Sequence, residues 1–154
     1  MINSRFAVAV HLLTLMAFGK ERFPGVPVTS EMAAESVNTN PVVVRRILGQ
    51  LRKCGLVSSQ PGPRGGWLLE RDPGEITLDA VYRAVEDEQL FSFHHRTPNR
   101  LCEVGGNIQQ TLDAVFREAE EAMADKLARR TVADMVEAIR ANARCDHARK
   151  ELTV

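Results

Sequence analysis

A chain of 154 residues, 44% hydrophobic and 26% charged, is sized for one globular domain plus an added element and can bury a core without staples. No apolar run approaches the roughly 20 residues of a membrane span, and the apolar start is broken by Arg5 and His11, so a cytoplasmic protein with neither signal peptide nor membrane partner is expected. The cysteines Cys54, Cys102 and Cys145 form no CxxC pair, which leaves a disulfide framework, a zinc ribbon and a thioredoxin-like site unsupported, and a net charge of zero argues at first against nucleic acid.

Residues 4–18 read as a first helix. Ser4 can cap it, Phe6, Ala9, Val10, Leu13 and Met16 recur at helical spacing, and Gly19 ends it. His11 lies among apolar neighbours and reads as a core or interface histidine rather than a ligand. Pro24, Gly25 and Pro27 punctuate a loop. Thr29 then caps a short helix over 30–36, with Glu31 suited to its first turn and Met32 and Ala33 facing the core. After a turn at Val37-Asn38-Thr39, a third helix runs from Asn40 to Cys54. Pro41 fits its first turn, Val44, Ile47, Leu48 and Leu51 form an apolar stripe, and Gly55 stops it. Two strands follow, 56–60 and 67–70, joined by the turn-rich run Pro61-Gly62-Pro63-Arg64-Gly65-Gly66.

Asp72-Pro73-Gly74 breaks the chain before a helix over 78–88, capped by Thr77, with Leu78, Val81, Tyr82 and Val85 inward. Residues 89–106 lack helical spacing and hold His94, His95, Pro98, Cys102, Gly105 and Gly106. A long helix from Asn107 to Arg129 carries Ile108, Leu112, Val115, Ala119, Met123 and Leu127 at steps of three or four. Thr131 with Asp134 opens a last helix as a variant of the capping box, its apolar face continued by Val132, Met135, Val136 and Ile139. The final dozen residues are polar and read as a frayed tail.

The charge is unevenly distributed. Residues 1–72 hold nine Lys/Arg against five acids, and 39–71 hold six basic residues against one acid, Glu70. A basic segment on a neutral chain is the footprint of a face that meets phosphates. It coincides with the order short helix, turn, helix, β-hairpin, which is a helix-turn-helix with a wing. Thr39 and Asn40 are small and polar enough for the third helix to enter a major groove by its N-terminus. Arg45, Arg46, Gln50, Arg52 and Lys53 lie off the apolar stripe, where arginine can read guanine or hold phosphate. Val42 and Val43 can meet thymine methyls or the core. Arg64 stands between glycines at the wing tip, a placement suited to a narrow minor groove and to close backbone approach to DNA. Trp67 reads as a packing residue at the wing base.

The stretch VTSEMAAESVNTNPVVVRRILGQLRKCGLVSSQPGPRGGWLL and the following RDPGEITLDAVYRAVE resemble the Rrf2 family of bacterial transcription regulators. The start INSRFAVAVHLL and the later LCEVGGNIQ are similar to the YwnA-like branch of that family. The resemblance implies a winged helix-turn-helix DNA-binding domain over 1–88, a sensor-type loop over 89–106, dimerisation helices over 107–140 and a tail over 141–154. It assigns DNA contact to the Asn40–Lys53 helix and the Arg64 wing. Iron-sulfur members carry three cysteines in the loop; here the loop holds only Cys102, so no cofactor and no metal are expected. Cys102 instead becomes a candidate thiol sensor, since Arg100 and the helix N-terminus after Gly106 would favour thiolate.

The stripe from Ile108 to Leu127 spans more turns than the domain over 1–88 can cover, and a helix that outgrows its own core pairs with a partner. Ile108, Leu112, Val115, Phe116, Ala119, Met123 and Leu127 are therefore the expected homodimer seam. A two-fold dimer sets its recognition helices about 34 Å apart on a near-palindromic operator. The fold expected is mainly α: a winged helix-turn-helix with a small two-stranded β wing plus a long C-terminal dimerisation helix. The function expected is a sequence-specific regulator of double-stranded DNA, a repressor that responds to redox or electrophile signals through Cys102. Two alternatives stay open: a dimeric sensor or interaction protein of the same fold with weak DNA binding, and a regulator controlled by a small-molecule ligand. No Ser-His-Asp set, carboxylate pair or phosphate loop is present, so no enzyme is expected.

Overall fold

The structure is a computed structural model that describes residues 4–86 and 90–151, with side chains as far as Arg144. Six helices and one hairpin follow in the order α1 (Arg5–Arg22), α2 (Ser30–Val37), α3 (Pro41–Lys53), β1 (Val57–Gln60), β2 (Gly66–Leu69), α4 (Leu78–Val85), α5 (Glu103–Ala128) and α6 (Val132–Glu151). A single 3-10 turn, Pro73–Glu75, precedes α4.

α1 is the central element. Ala9, Leu12, Leu13, Met16 and Ala17 are all buried, and α2, α3, α4 and α6 pack around them. The expected stop at Gly19 is overturned. Gly19 stays helical beside the Val28 side chain, and the helix runs one more turn to Arg22, where the Phe23 amide closes on the Gly19 carbonyl at 2.7 Å. Ser4 makes no side-chain cap bond. Instead the Phe6 amide, exposed at the helix start, donates to Glu86 Oε1 at 3.2 Å, and Arg5 pairs with the same carboxylate. The N-terminus of α1 thus takes its cap from a residue 80 positions away, which local reading could not find.

α2 and α3 follow their caps. Thr29 accepts from the Met32 amide, and Asn40 Oδ1 from the Val42 amide at 2.8 Å. Asn38 is left-handed at φ 58°, and its amide and that of Thr39 close α2 on Ala34 and Glu35 carbonyls. Val44, Ile47, Leu48 and Leu51 are buried as their spacing predicts. Met32 is not; it is 58% exposed, and Ala33 and Ala34 fill the core in its place.

The hairpin pairs Val57 with Leu69 and Gln60 with Gly66, antiparallel. It does not float free. Val28 and Trp67 exchange backbone bonds of 3.0 and 2.8 Å, which makes the α1–α2 linker a third edge of the wing.

α4 ends at Val85, because Glu86 is extended and turned to α1; the rest of the helix expected to 88 lies outside the described residues. α5 begins at Glu103, four residues before the sequence pattern suggests, and takes Gly105 and Gly106 into its first turns. A Cβ on Gly105 would stand 2.3 Å from the Asn99 carbonyl oxygen. The glycines are there because the incoming loop crosses the helix at van der Waals distance, not because the helix has yet to start. α5 packs chiefly on α4 and buries no residue. Its 26 residues span about 39 Å. Thr131 and Asp134 form the expected reciprocal cap of α6, and the bonds Leu78 N to Arg130 O and Val132 N to Ile76 O tie this turn to the start of α4. α6 then returns along α1 and runs as helix to Glu151, through the stretch expected to fray.

Candidate nucleic-acid interface

The exposed side of α3 is built by what its other side must do. With positions 44, 47, 48 and 51 locked into the core, the 3.6-residue period turns Val42, Val43, Arg45, Arg46, Arg52 and Lys53 outward, and all six are exposed. Among the described residues no hydrogen bond or ion pair engages Arg46 or Lys53. Arg45 Nη1 donates to Glu31 Oε1 at 3.2 Å. Arg52 has turned toward the wing: it donates to Ser59 Oγ at 3.1 Å, and its guanidinium lies 6.0 Å from the Trp67 ring. Of the polar candidates, Asn40 spends its side chain on the helix cap. Thr39 is half-buried, and Gln50 is half-buried with its Oε1 enclosed and unbonded among the described residues.

Trp67 sits at the wing base against the core, and its Nε1 donates to Ser30 Oγ on α2 at 3.1 Å. Arg52, Trp67 and Ser30 therefore join α3, β2 and α2, so the wing has a fixed attitude to the helix pair. Arg64 projects from the tip, exposed, with no partner among the described residues. The flanking glycines divide their roles. Gly62, at φ 103°, borders open space. Gly65 and Gly66 do not: Cβ atoms there would lie 2.1 Å from the Gln60 oxygen and 2.7 Å from the Val28 oxygen. These two serve the chain's own turn rather than approach to DNA.

The loop before α5 is held by aromatic contact. Phe91 stacks on Phe116 at 4.7 Å, and Phe93 tilts against the same ring at 5.4 Å. Phe116, expected at the dimer seam, is thus engaged within its own chain. Cys102 is the residue just before α5 and is exposed. The free amides of Gly105 and then Val104 hold its thiol below the usual range, although Sγ makes no cap bond of full hydrogen-bond geometry. Cys54 is exposed at the end of α3; the side chain of Cys145 lies outside those described.

The remaining stripe of α5 faces outward. Val115 is 54% exposed, Ala119 is exposed, and Ile108, Leu112, Met123 and Leu127 are half-covered. Across the molecule, α1 and α6 frame an apolar groove of about 440 Å³ lined by Val10, Leu15, Phe18, Met135 and Ile139. His11 stands exposed on its rim, its Nε2 2.9 Å from Ser36 Oγ, so it is not a core histidine. Sequence spacing could not show this groove, since its walls lie more than a hundred residues apart.

Comparison with known proteins supplies a context for this geometry. The profile of the Rrf2 family, described as an iron-dependent transcriptional regulator, matches residues 2–138. YwnA of Bacillus subtilis (strain 168), which carries the name of an HTH-type transcriptional regulator, is 43% identical over 137 residues, covering 88% of this chain and 97% of that protein. A crystal structure described as that of a DNA-binding protein superposes with a TM-score of 0.67 at 39% identity, covering 86% of this chain and 98% of its own. IscR of T. potens shares the fold at a TM-score of 0.67 and 22% identity, over 90% of this chain and 88% of its own. Among the described residues, the donors do not fit the iron of the family description. The loop offers one thiol, and among the described residues no group of three or more His, Cys, Asp or Glu is placed to hold a metal. No helix among the described residues is long and apolar enough to cross a membrane.

Proposed function

The chain belongs to the Rrf2 family of transcriptional regulators, and from that premise we propose that it binds double-stranded DNA sequence-specifically as a homodimer and represses transcription there. One observation carries the reading: a helix locked into the core on one side presents Arg45, Arg46 and Lys53 on the other, beside a wing that carries Arg64. The cations concentrate where phosphates would lie, so the neutral net charge is no obstacle. Arg45 and Arg46 read bases, Lys53 and Arg64 hold the backbone or the minor groove, and Arg52 sets the wing. Thr39 and Gln50, half-buried, take a lesser share. A dimer seated over two successive major grooves would exclude other proteins from a promoter, which is the simplest route to repression.

Arg45→Ala and Arg46→Ala are each expected to weaken binding to the selected operator by about 1–3 kcal/mol, the worth of one bidentate base contact. Gel-shift titration checks this. Unchanged affinity in both variants rejects the reading, and an equal loss on all sequences reduces the residue to a phosphate contact.

Regulation runs through Cys102 without a cluster. An exposed thiol whose pKa is lowered by two backbone amides is thiolate at a lower pH than an ordinary cysteine. Its alkylation by iodoacetamide is therefore expected to reach half its plateau rate at a lower pH than that of a free cysteine peptide. Mass spectrometry of the labelled chain measures this; coincident pH profiles remove the basis for a thiol sensor.

A further inference from the structure

A carboxylate on a face that meets DNA opposes the phosphates, so its presence there calls for a reason. Glu31 is such a group. It stands in the first turn of α2, 70% exposed, and receives Arg45 Nη1 at 3.2 Å. Arg45 is itself half exposed, on the outer side of α3. Among the described residues it is the one cation of that side paired with an acid. Stability does not account for the pair. An exposed ion pair adds little to folding, and α2 and α3 are already packed together through the core that Ala33 and Ala34 share with Val44, Ile47 and Leu48.

Resting on the DNA-binding reading above, we propose that Glu31 is a positioning residue for sequence readout, holding Arg45 by one edge so that the rest of its guanidinium is presented to a base. A guanidinium carries five N–H donors in one plane. One spent on the carboxylate leaves a second edge free for the paired acceptors of guanine, O6 and N7. A long arginine side chain otherwise loses rotamer freedom when it binds, and a partner that fixes it beforehand lowers that cost. Arg45 in turn neutralises the carboxylate that would repel the backbone. Glu31 thus acts through Arg45 and touches no base itself.

The test uses the full chain and a palindromic site that it selects from random DNA. Wild type, Arg45→Ala, Glu31→Ala and Glu31→Gln are titrated against the site, its single-base variants and unrelated DNA. Both Glu31 variants lose the same charge, and both are expected to bind unrelated DNA more tightly. Glutamine keeps an acceptor for Arg45 and alanine does not. Glu31→Ala is therefore expected to lose roughly two- to fivefold of its discrimination, the worth of one exposed pair, at the same base pair where Arg45→Ala becomes indifferent. Glu31→Gln should retain more of it. If the two variants behave alike, with affinity raised evenly and discrimination intact, Glu31 is only a repulsive charge and the proposal falls. If Arg45→Ala alters no base preference, Arg45 reads no base and the proposal falls with it. If no site can be selected at all, the DNA-binding reading is what has failed.

Discussion

Val115→Asp and Leu112→Asp are each expected to leave this regulator a folded monomer. α5 buries none of its side chains fully in a single chain; Val115 is 54% exposed, so the folded subunit does not depend on its remaining apolar, and Leu112 is only half-covered. In a two-fold seam each substitution places two carboxylates in an apolar contact. An uncompensated buried charge costs about 3 kcal/mol or more, so two weaken association by about 6 kcal/mol, roughly 10⁴-fold in the dissociation constant. Sedimentation at micromolar concentration measures the change, and circular dichroism confirms the fold. Operator affinity should fall together with dimerisation, since each half-site alone contributes too little. An intact dimer in both variants would move the interface elsewhere, with the groove between α1 and α6 next in line. Phe116 is the wrong probe for this question. Its ring stacks on Phe91, and a charge there would release the loop as well as any partner.

What was legible in the sequence was what strong local contrast encodes. The α3 stripe is unambiguous because apolar and basic residues separate cleanly at helical period, so both its buried side and its cationic side could be named. The caps at Thr29 and Thr77 and the reciprocal Thr131–Asp134 pair were readable because each bonds within three residues of itself, whereas Asn40, read as a groove contact, turned out to cap α3. Distant partners were not readable. Gly19, Gly105 and Gly106 look like breakers by composition, yet Gly19 packs by Val28 and the other two by the backbone of Asn99 and Arg100. Only the fold reveals that all three lie inside helices and that Gly105 and Gly106 are points of close approach. The site shows the same limit. Arg52 was a free cation until Trp67 and Ser59 were placed beside it. Glu31 was merely an acid suited to a helix start until Arg45 reached across from α3.

Gly65→Ala is expected to unseat the wing, with a larger effect than the same change at Gly62. A Cβ at position 65 would stand 2.1 Å from the Gln60 oxygen, 2.8 Å from the Gly62 oxygen and 2.9 Å from the Pro61 carbonyl carbon. All three are backbone atoms of the turn itself, so no side chain can swing aside. The turn must open, and the Gly65 N to Gly62 O bond of 2.9 Å goes with it. A clash of this kind lies at the upper end of overpacking costs, about 3 kcal/mol, or a fall of about 6–12 °C in Tm for a chain of this size. Gly62→Ala meets nothing within 4 Å and carries only the strain of φ 103°, about 1–2 kcal/mol. The chain's single tryptophan reports the event directly, since Trp67 is held by Ser30 Oγ and by the Val28 backbone, and both contacts depend on the seated hairpin. Fluorescence of Gly65→Ala should shift to the red at temperatures where the wild type is unchanged. Affinity for DNA should fall at the same time, because Arg64 loses its platform and Arg52 its anchor. An unshifted emission with a Tm within about 2 °C of the wild type would mean that the wing tolerates the methyl group and that its attitude is not set by this turn.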